Sequence, residues 1–169
     1  MNLIVIRHGE TDLNRDNRLQ GRTGPDEALN GTGRNEVATL RKGLLITPKV
    51  IYASPLKRTQ ETAHILNEHW NVPIITDPLL AERDFGSLSG KLRSEIDPEI
   101  VKSDLEGRYD YQPYGGESVA NVEARVMKFL ETLPLSENDT VIVVTHRGVI
   151  RVLYDLYPIE SDGGEIIPA

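Results

Sequence analysis

Thr140-Val141-Ile142-Val143-Val144-Thr145, followed at once by His146-Arg147-Gly148, is the stretch on which the fold turns. Every residue of the run before His146 is β-branched, and such side chains pack well on a pleated strand and less well in a helix. Its aliphatic centre does not alternate with polar residues, so both faces of the strand must be covered, as they are inside a parallel sheet. Working outward, Leu3-Ile4-Val5-Ile6 is a second run of this kind, Val50-Ile51-Tyr52-Ala53 a third, and Pro73-Ile74-Ile75-Thr76 a weaker fourth.

The intervals carry apolar residues spaced by three and four, which predict helices. Val37, Leu40 and Leu44 mark one. Leu56, Thr59, Ala63, Leu66 and Trp70 mark another, with Ser54 as N-cap and Pro55 at the first helical position. Val119, Val122, Val126, Leu130 and Leu133 follow the turn Gly115-Gly116, with Ser118 as cap, and Val149, Val152, Leu153 and Leu156 mark a last helix that stops near Pro158. These stripes read as core packing. Strand and helix alternate, so the expected fold is α/β, a three-layer α/β/α sandwich around a mainly parallel sheet, with residues 1–169 as a single domain. Residues 20–30 and 84–114 fit no regular element and are read as excursions over one sheet edge, the second a lid beside a binding site.

Composition narrows the function. The 169 residues suffice for one core but not for two ordinary domains. No segment approaches the ~20 apolar residues of a membrane span, and the opening residues lack the features of a secretion signal. The absence of cysteine excludes disulfides, Cys-ligated zinc and a Cys nucleophile, and the expected setting is cytoplasmic. A net charge of −7 argues against nucleic acid or an anionic membrane as partner. If the partner is instead a small phosphorylated substrate, arginines must be gathered into one pocket on an acidic protein.

Several residues are placed to form such a pocket. His8 and His146 each follow a strand directly, and in an open α/β sheet ligands bind outside the carboxyl ends of the strands. A helix starting near Gly148 would aim free N–H groups at an anion there. Arg7 ends the first strand, and Arg58 lies in the first turn of the helix after the second, where a guanidinium can grip two phosphate oxygens. Glu82 follows the weaker strand, where a carboxylic acid can protonate a leaving-group oxygen. Taken singly, each residue also has a plain structural explanation. His64 and His69 are five apart on one helix and do not share a face, so they make poor metal ligands. Gly31-Thr32-Gly33-Arg34 lacks the ending of a nucleotide-binding loop.

The surrounding motifs resemble those of the histidine phosphatase superfamily, which includes the cofactor-dependent phosphoglycerate mutases. Arg7-His8-Gly9-Glu10-Thr11 is similar to its signature, and Ser54-Pro55-Leu56-Lys57-Arg58-Thr59-Gln60-Glu61-Thr62-Ala63 to its second. Leu29-Asn30-Gly31-Thr32-Gly33-Arg34, Glu82 with Phe85-Gly86, Gly115-Gly116-Glu117-Ser118, and Thr145-His146 with Gly148 to Arg151 continue the series in order. The resemblance runs to about residue 155. It implies a phosphoglycerate mutase-like fold in which His8 attacks phosphorus in line and becomes a phosphohistidine. Arg7, Arg58 and His146 would hold the phosphoryl oxygens, Asn14 and the Gln20-Gly21 pair would assist in binding substrate, and Glu82 would act as acid and then base. Neither a metal nor an organic cofactor is required by this scheme.

Departures from the family pattern qualify the expectation. Arg147 stands where relatives often carry glycine, and either adds a charge facing the phosphate or points outward. Asn30 replaces the usual Thr, and both can cap a helix. The chain stops at Ala169 where relatives usually continue, which suggests a shortened edge strand at the C-terminus or a slightly truncated domain. Mutases usually carry a longer insert than residues 87–114, so a phosphatase of phosphate monoesters is favoured, with a cofactor-dependent phosphoglycerate mutase as the alternative. A non-catalytic phosphate-binding or scaffold protein is the reading from another class, but such a protein would be expected to have lost His8, Arg58 or His146. The ester and the oligomeric state stay open.

Overall fold

The computed structural model describes residues 2–133, 136 and 139–156. The expected C-terminal edge strand and the helix stop at Pro158 lie outside the described residues. Four strands form one sheet: β1 (Asn2–Arg7), β2 (Val50–Ala53), β3 (Ile74–Thr76) and β4 (Thr140–Thr145). Their order is β1-β4-β2-β3, and every pairing is parallel. The β-branched run Thr140–Thr145 is therefore a central strand, with Val141, Ile142, Val143 and Val144 all but inaccessible to water.

Alternation along the strands sorts the core into two halves. Val141 and Val143 of β4, with Val50 and Tyr52 of β2, pack against α5 (Val119–Thr132) and α6 (Arg147–Leu156) through Val122, Val126, Phe129, Val149 and Val152. Ile142 and Val144, with Ile51 and Ala53, face α2 (Gly31–Gly43) and α3 (Lys57–Asn67) through Val37, Ala63 and Leu66. The result is the expected three-layer α/β/α sandwich, and each fully buried aliphatic side chain contributes about 1.5–3 kcal/mol. A short α1 (Asp12–Arg15) and α4 (Pro98–Leu105) lie outside these layers in the sequence.

The ladder continues one residue past the strand ends, and this sets up the site. His8 N–H donates to Thr145 O at 3.1 Å, and Ser54 N–H donates to Val144 O at 3.1 Å. His8 and Ser54 thus flank the end of β4, beside His146. A side-chain carbon on Gly33 would lie 2.2 Å from Glu10 O, so only glycine lets the start of α2 press against the loop that carries His8.

Three expectations about caps and loops meet different outcomes. Ser118 caps α5 as expected, in a reciprocal pair with Asn121. Ser54 does not cap α3, and Pro55 is not its first residue: the helix begins at Lys57 after Leu56. The physical reason is that Ser54 is still held in the ladder and its hydroxyl is engaged by His146, while the Asp26 carboxylate accepts the Lys57 N–H instead, at 3.1 and 3.3 Å. The two excursions meet through Thr23 Oγ1 and Arg22 Nε, which donate to the Asp84 carboxylate, and just before the first of them Leu19 N–H donates to Lys91 O and Gly90 N–H to Leu19 O. Within the second, Tyr109 and Tyr111 are buried in the core, while Tyr114 is exposed. Among the described residues, no helix is long and apolar enough to cross a membrane.

Candidate active site

His8 is buried at the end of β1, and its hydrogen bonds decide which nitrogen is available. Nδ1 lies 2.8 Å from the carbonyl oxygen of Gly9. A carbonyl only accepts, so Nδ1 carries the proton and Nε2 keeps its lone pair. Burial, then the nearby Arg58 charge, push the His8 pKa from 6.5 down to about 3; Arg7 adds to this and the Gly9 hydrogen bond opposes it. The imidazole is therefore neutral at physiological pH. Gly9 N–H donates to Thr62 Oγ1 at 3.2 Å, tying the loop to α3.

His146 and Arg58 complete the centre. The rings of His8 and His146 lie 5.1 Å apart between centroids, tilted at 58°. Arg58 Nε donates to His146 Nδ1 at 3.3 Å, and Arg58 Nη2 donates to Gln20 O and Gly21 O, both at 3.3 Å. Arg58 is wholly buried, yet among the described residues its Nη1 makes no hydrogen bond and has only Asp26 Oδ1, 3.7 Å away, as an ionic partner. Burial lowers the Arg58 pKa to about 10, with Glu82 and Asp26 opposing, so the group stays cationic at neutral pH.

The remaining residues named from the sequence take definite places. Arg7 is partly buried, and among the described residues its Nε has no hydrogen-bond partner. Burial lowers its pKa; Glu82 opposes this, while the charges of Arg147 and Arg93 reinforce it. Gln20 Oε1 accepts from the Thr11 hydroxyl at 2.9 Å and from Asn14 Nδ2 at 3.5 Å, which leaves the buried Gln20 Nε2 as an unpartnered donor. Asn14 therefore stands beside Gln20, and its other bonds are those of the α1 capping box with Thr11. Gly21 contributes its carbonyl to Arg58. Arg147 is exposed at the start of α6, near enough for its charge to act on Arg7.

Glu82 is buried beside these groups. Its Oε1 accepts from Arg83 N–H at 2.8 Å and its Oε2 from Gly148 N–H at 3.4 Å, at the start of α6. A side-chain carbon on Gly148 would lie 2.3 Å from Glu82 Oε1 and 2.6 Å from Arg83 Nη1. Both atoms end flexible side chains, so Gly148→Ala should fold but push the Glu82 carboxylate aside. The expected result is a fall in kcat of about 10²-fold on alkyl phosphates, the low end of general-acid catalysis. A much smaller fall is expected on an aryl phosphate whose leaving group departs unprotonated. Steady-state rates on the two esters check this.

The sequence reading missed the groups that brace Glu82. Arg83 is buried, paired with Asp104 of α4 at 2.7 Å, and held between the rings of Phe85 and Tyr109 at 5.0 and 4.8 Å. Asp84 accepts from Thr23 Oγ1 at 2.5 Å and from Arg22 Nε at 3.4 Å, and these bonds hold its carboxyl below the usual range although burial opposes them. Glu117 accepts from Asp84 N–H at 2.9 Å and pairs with Arg125 at 3.1 Å and Arg22 at 3.2 Å. The signal for Glu117 was the Gly115-Gly116-Glu117-Ser118 motif, which was read for its turn, its cap and its place in the family series but not for a role of Glu117. Among the described residues, no group of three or more His, Asp and Glu side chains is placed to hold a metal ion.

The pattern of the histidine phosphatase superfamily (branch 1) matches residues 3–159. A metal-independent phosphoserine phosphatase of Arabidopsis thaliana is 34% identical over 99% of this chain and 73% of its own length. Phosphoserine phosphatase 1 of Hydrogenobacter thermophilus is 37% identical over 90% of this chain and 74% of its own. Among solved structures, a phosphoglycerate mutase from Thermus thermophilus superposes with a TM-score of 0.76 at 32% identity, covering 92% of this chain and 83% of that one.

Proposed function

The chain belongs to the histidine phosphatase superfamily and is a phosphatase of that kind, and from this premise we propose that it hydrolyses small phosphate monoesters through a phosphohistidine on His8. One observation carries the mechanism: a neutral His8 with Nε2 free stands beside a buried, cationic Arg58 with an uncommitted Nη1. A cation desolvated to this degree without a full set of partners is costly, and a phosphoryl group supplies what it lacks.

In the proposed reaction, Nε2 of His8 attacks phosphorus in line. Arg58, Arg7 and His146 hold the equatorial oxygens, with Gln20 Nε2 as a further donor and Asn14, Gly21 and Arg147 shaping or charging the surroundings. Phosphoryl transfer is mostly positioning and charge stabilisation, which fits a site built of fixed donors. Glu82, in its protonated form, gives its proton to the departing alkoxide and then takes one from the water that releases phosphate from His8. The nucleophile, the donors and the acid all come from the chain, so the scheme uses no metal or organic cofactor.

Water is the proposed acceptor because relatives named phosphatases match nearly the whole chain, two of them at 34% and 37% identity, and because residues 87–114 form a shorter insert than mutases usually carry. Phosphoserine heads the substrates to test, since two relatives carry that activity in their names. With a net charge of −7, a small anion drawn into a local arginine pocket suits the protein better than a nucleic acid. A cytoplasmic setting is part of the same proposal, as a chain without cysteine draws nothing from an oxidising compartment. The test is a panel of phosphate esters, including phosphoserine and 3-phosphoglycerate, the latter with and without 2,3-bisphosphoglycerate. Release of inorganic phosphate is expected; isomerisation of 3-phosphoglycerate that needs the bisphosphate, without hydrolysis, would replace the phosphatase by a mutase.

A further inference from the structure

Ser54 has a place in the site that its sequence position did not suggest. Its hydroxyl oxygen lies 2.8 Å from His146 Nε2, and Ser54, His146 and Arg58 are all inaccessible to water. Around His146, the direction of each hydrogen bond is determined by its partner. The Arg58 Nε–H can only donate, so His146 Nδ1, 3.3 Å away, must accept. A neutral His146 therefore carries its proton on Nε2 and donates it to Ser54 Oγ. The other bond to this oxygen comes from Leu56 N–H, at 3.4 Å.

This arrangement poses a problem for a phosphoryl site. Phosphoryl oxygens accept hydrogen bonds, whereas the His146 nitrogen on the Arg58 side, Nδ1, is itself an acceptor. The charges that bear most strongly on His146 are basic: Arg58 on α3, His8 and Arg7 at the end of β1, and Arg125 on α5, while the Glu82 carboxylate lies in the same pocket, bonded to Gly148 N–H. With burial, the basic groups hold His146 neutral. An arriving dianion reverses that balance.

Resting on the reading of this pocket as a phosphoryl site, we infer that Ser54 is a positioning residue that holds the Nε2–H of His146, so that when a phosphoryl group binds, Arg58 Nε–H leaves Nδ1 for a phosphoryl oxygen and Nδ1 takes up a proton and becomes a donor to the same group. The proton balance is simple. One proton passes from solvent, or from a monoanionic ester, to Nδ1 on binding, and it leaves again with inorganic phosphate. The Nε2–H to Ser54 bond persists throughout, and in the bound state it becomes a bond to a charged donor, the stronger kind.

Sulfate is the probe, because it does not titrate near neutrality. In protein labelled with ¹⁵N at its four histidines, His8, His64, His69 and His146, ring-nitrogen shifts report the tautomer directly. Free protein should have His146 protonated on Nε2 alone, and sulfate-saturated protein should have it protonated on both nitrogens. Calorimetry in buffers of different ionisation enthalpy should count about one proton taken up at pH 7. In Ser54→Ala, sulfate affinity should fall about tenfold, the size of one hydrogen bond to a charged group, with proton uptake reduced; Ser54→Thr should restore both. A purely structural role would lower thermal stability without changing the proton count. The inference is overturned if free His146 carries its proton on Nδ1, if it stays neutral with sulfate bound, or if Ser54→Ala binds sulfate and protons as the wild type does. Should His8 still be phosphorylated by substrate in that event, the phosphatase reading survives alone; should sulfate fail to bind at all, both fall.

Discussion

His8→Ala will abolish turnover and leave no phosphoenzyme, with a loss in kcat of at least about 10³-fold, as expected when a covalent nucleophile is removed. No neighbour can replace it. His146 is the nearest imidazole, but its Nδ1 accepts from Arg58 and its Nε2 donates to Ser54, so neither nitrogen offers a free lone pair. Mass spectrometry of rapidly quenched protein checks the intermediate, and full retained activity would end the mechanism.

The same variant reports on the fold. The unfolded His8 takes up a proton near pH 6.5, while the folded residue does so only near pH 3. Its folded pKa is depressed, so between these values the unfolded chain binds more protons. The stability attached to a neutral His8 is complete above pH 6.5 and is lost as pH falls toward 3. His8→Ala lacks this loss. Relative to wild type, it should gain on the order of 2–3 kcal/mol between pH 6 and pH 4, at about 1.4 kcal/mol per unit of proton linkage. Urea unfolding of the free proteins at the two pH values measures it, and a parallel decline would show that His8 is not buried in neutral form.

Removing Arg58 strikes both chemistry and fold. Arg58→Ala should lower kcat/KM by about 10³-fold, since the loss of one preorganised donor to a charged transition state costs 10²- to 10³-fold and here a whole fork is lost. It should also destabilise the protein by about 3–5 kcal/mol, because a large buried side chain disappears and the carbonyls of Gln20 and Gly21 lose their donor. Arg58→Lys keeps the charge but not the fork, so it should recover part of the stability and little of the rate. Added guanidinium ion should restore activity to Arg58→Ala more than to Arg58→Lys. Equal rescue of both would mean that the site needs the charge rather than the geometry.

The layers were legible because they rest on local chemistry. The β-branched run at β4 has one good solution, buried on both faces, and each helix announced its face through the spacing of its apolar residues. Strand ends likewise pointed to His8 and His146, and a helix start to Arg58. Glu82 was legible as a candidate but not distinguishable from other acids, since its environment comes from Gly148 and Arg83. Ser54 was misread for a related reason. Ser-Pro before an apolar stripe is a sound helix-start signal, but the hydroxyl it supplies was taken by a histidine from another strand. Likewise, the pairing of Arg83 with Asp104 joins residues with no fixed spacing, and only the folded path of the second excursion brings them together.

The strand order has a consequence for how the protein comes into being. β1 finds its one described partner in β4, so β1 waits for the much later β4 before its ladder can form. Closing so long a loop is slow and cannot begin until the later strand has emerged from the ribosome. During synthesis the chain therefore holds His8 and Arg58 without His146, and a growing chain that still lacks β4 has no phosphate pocket with which to sequester metabolites.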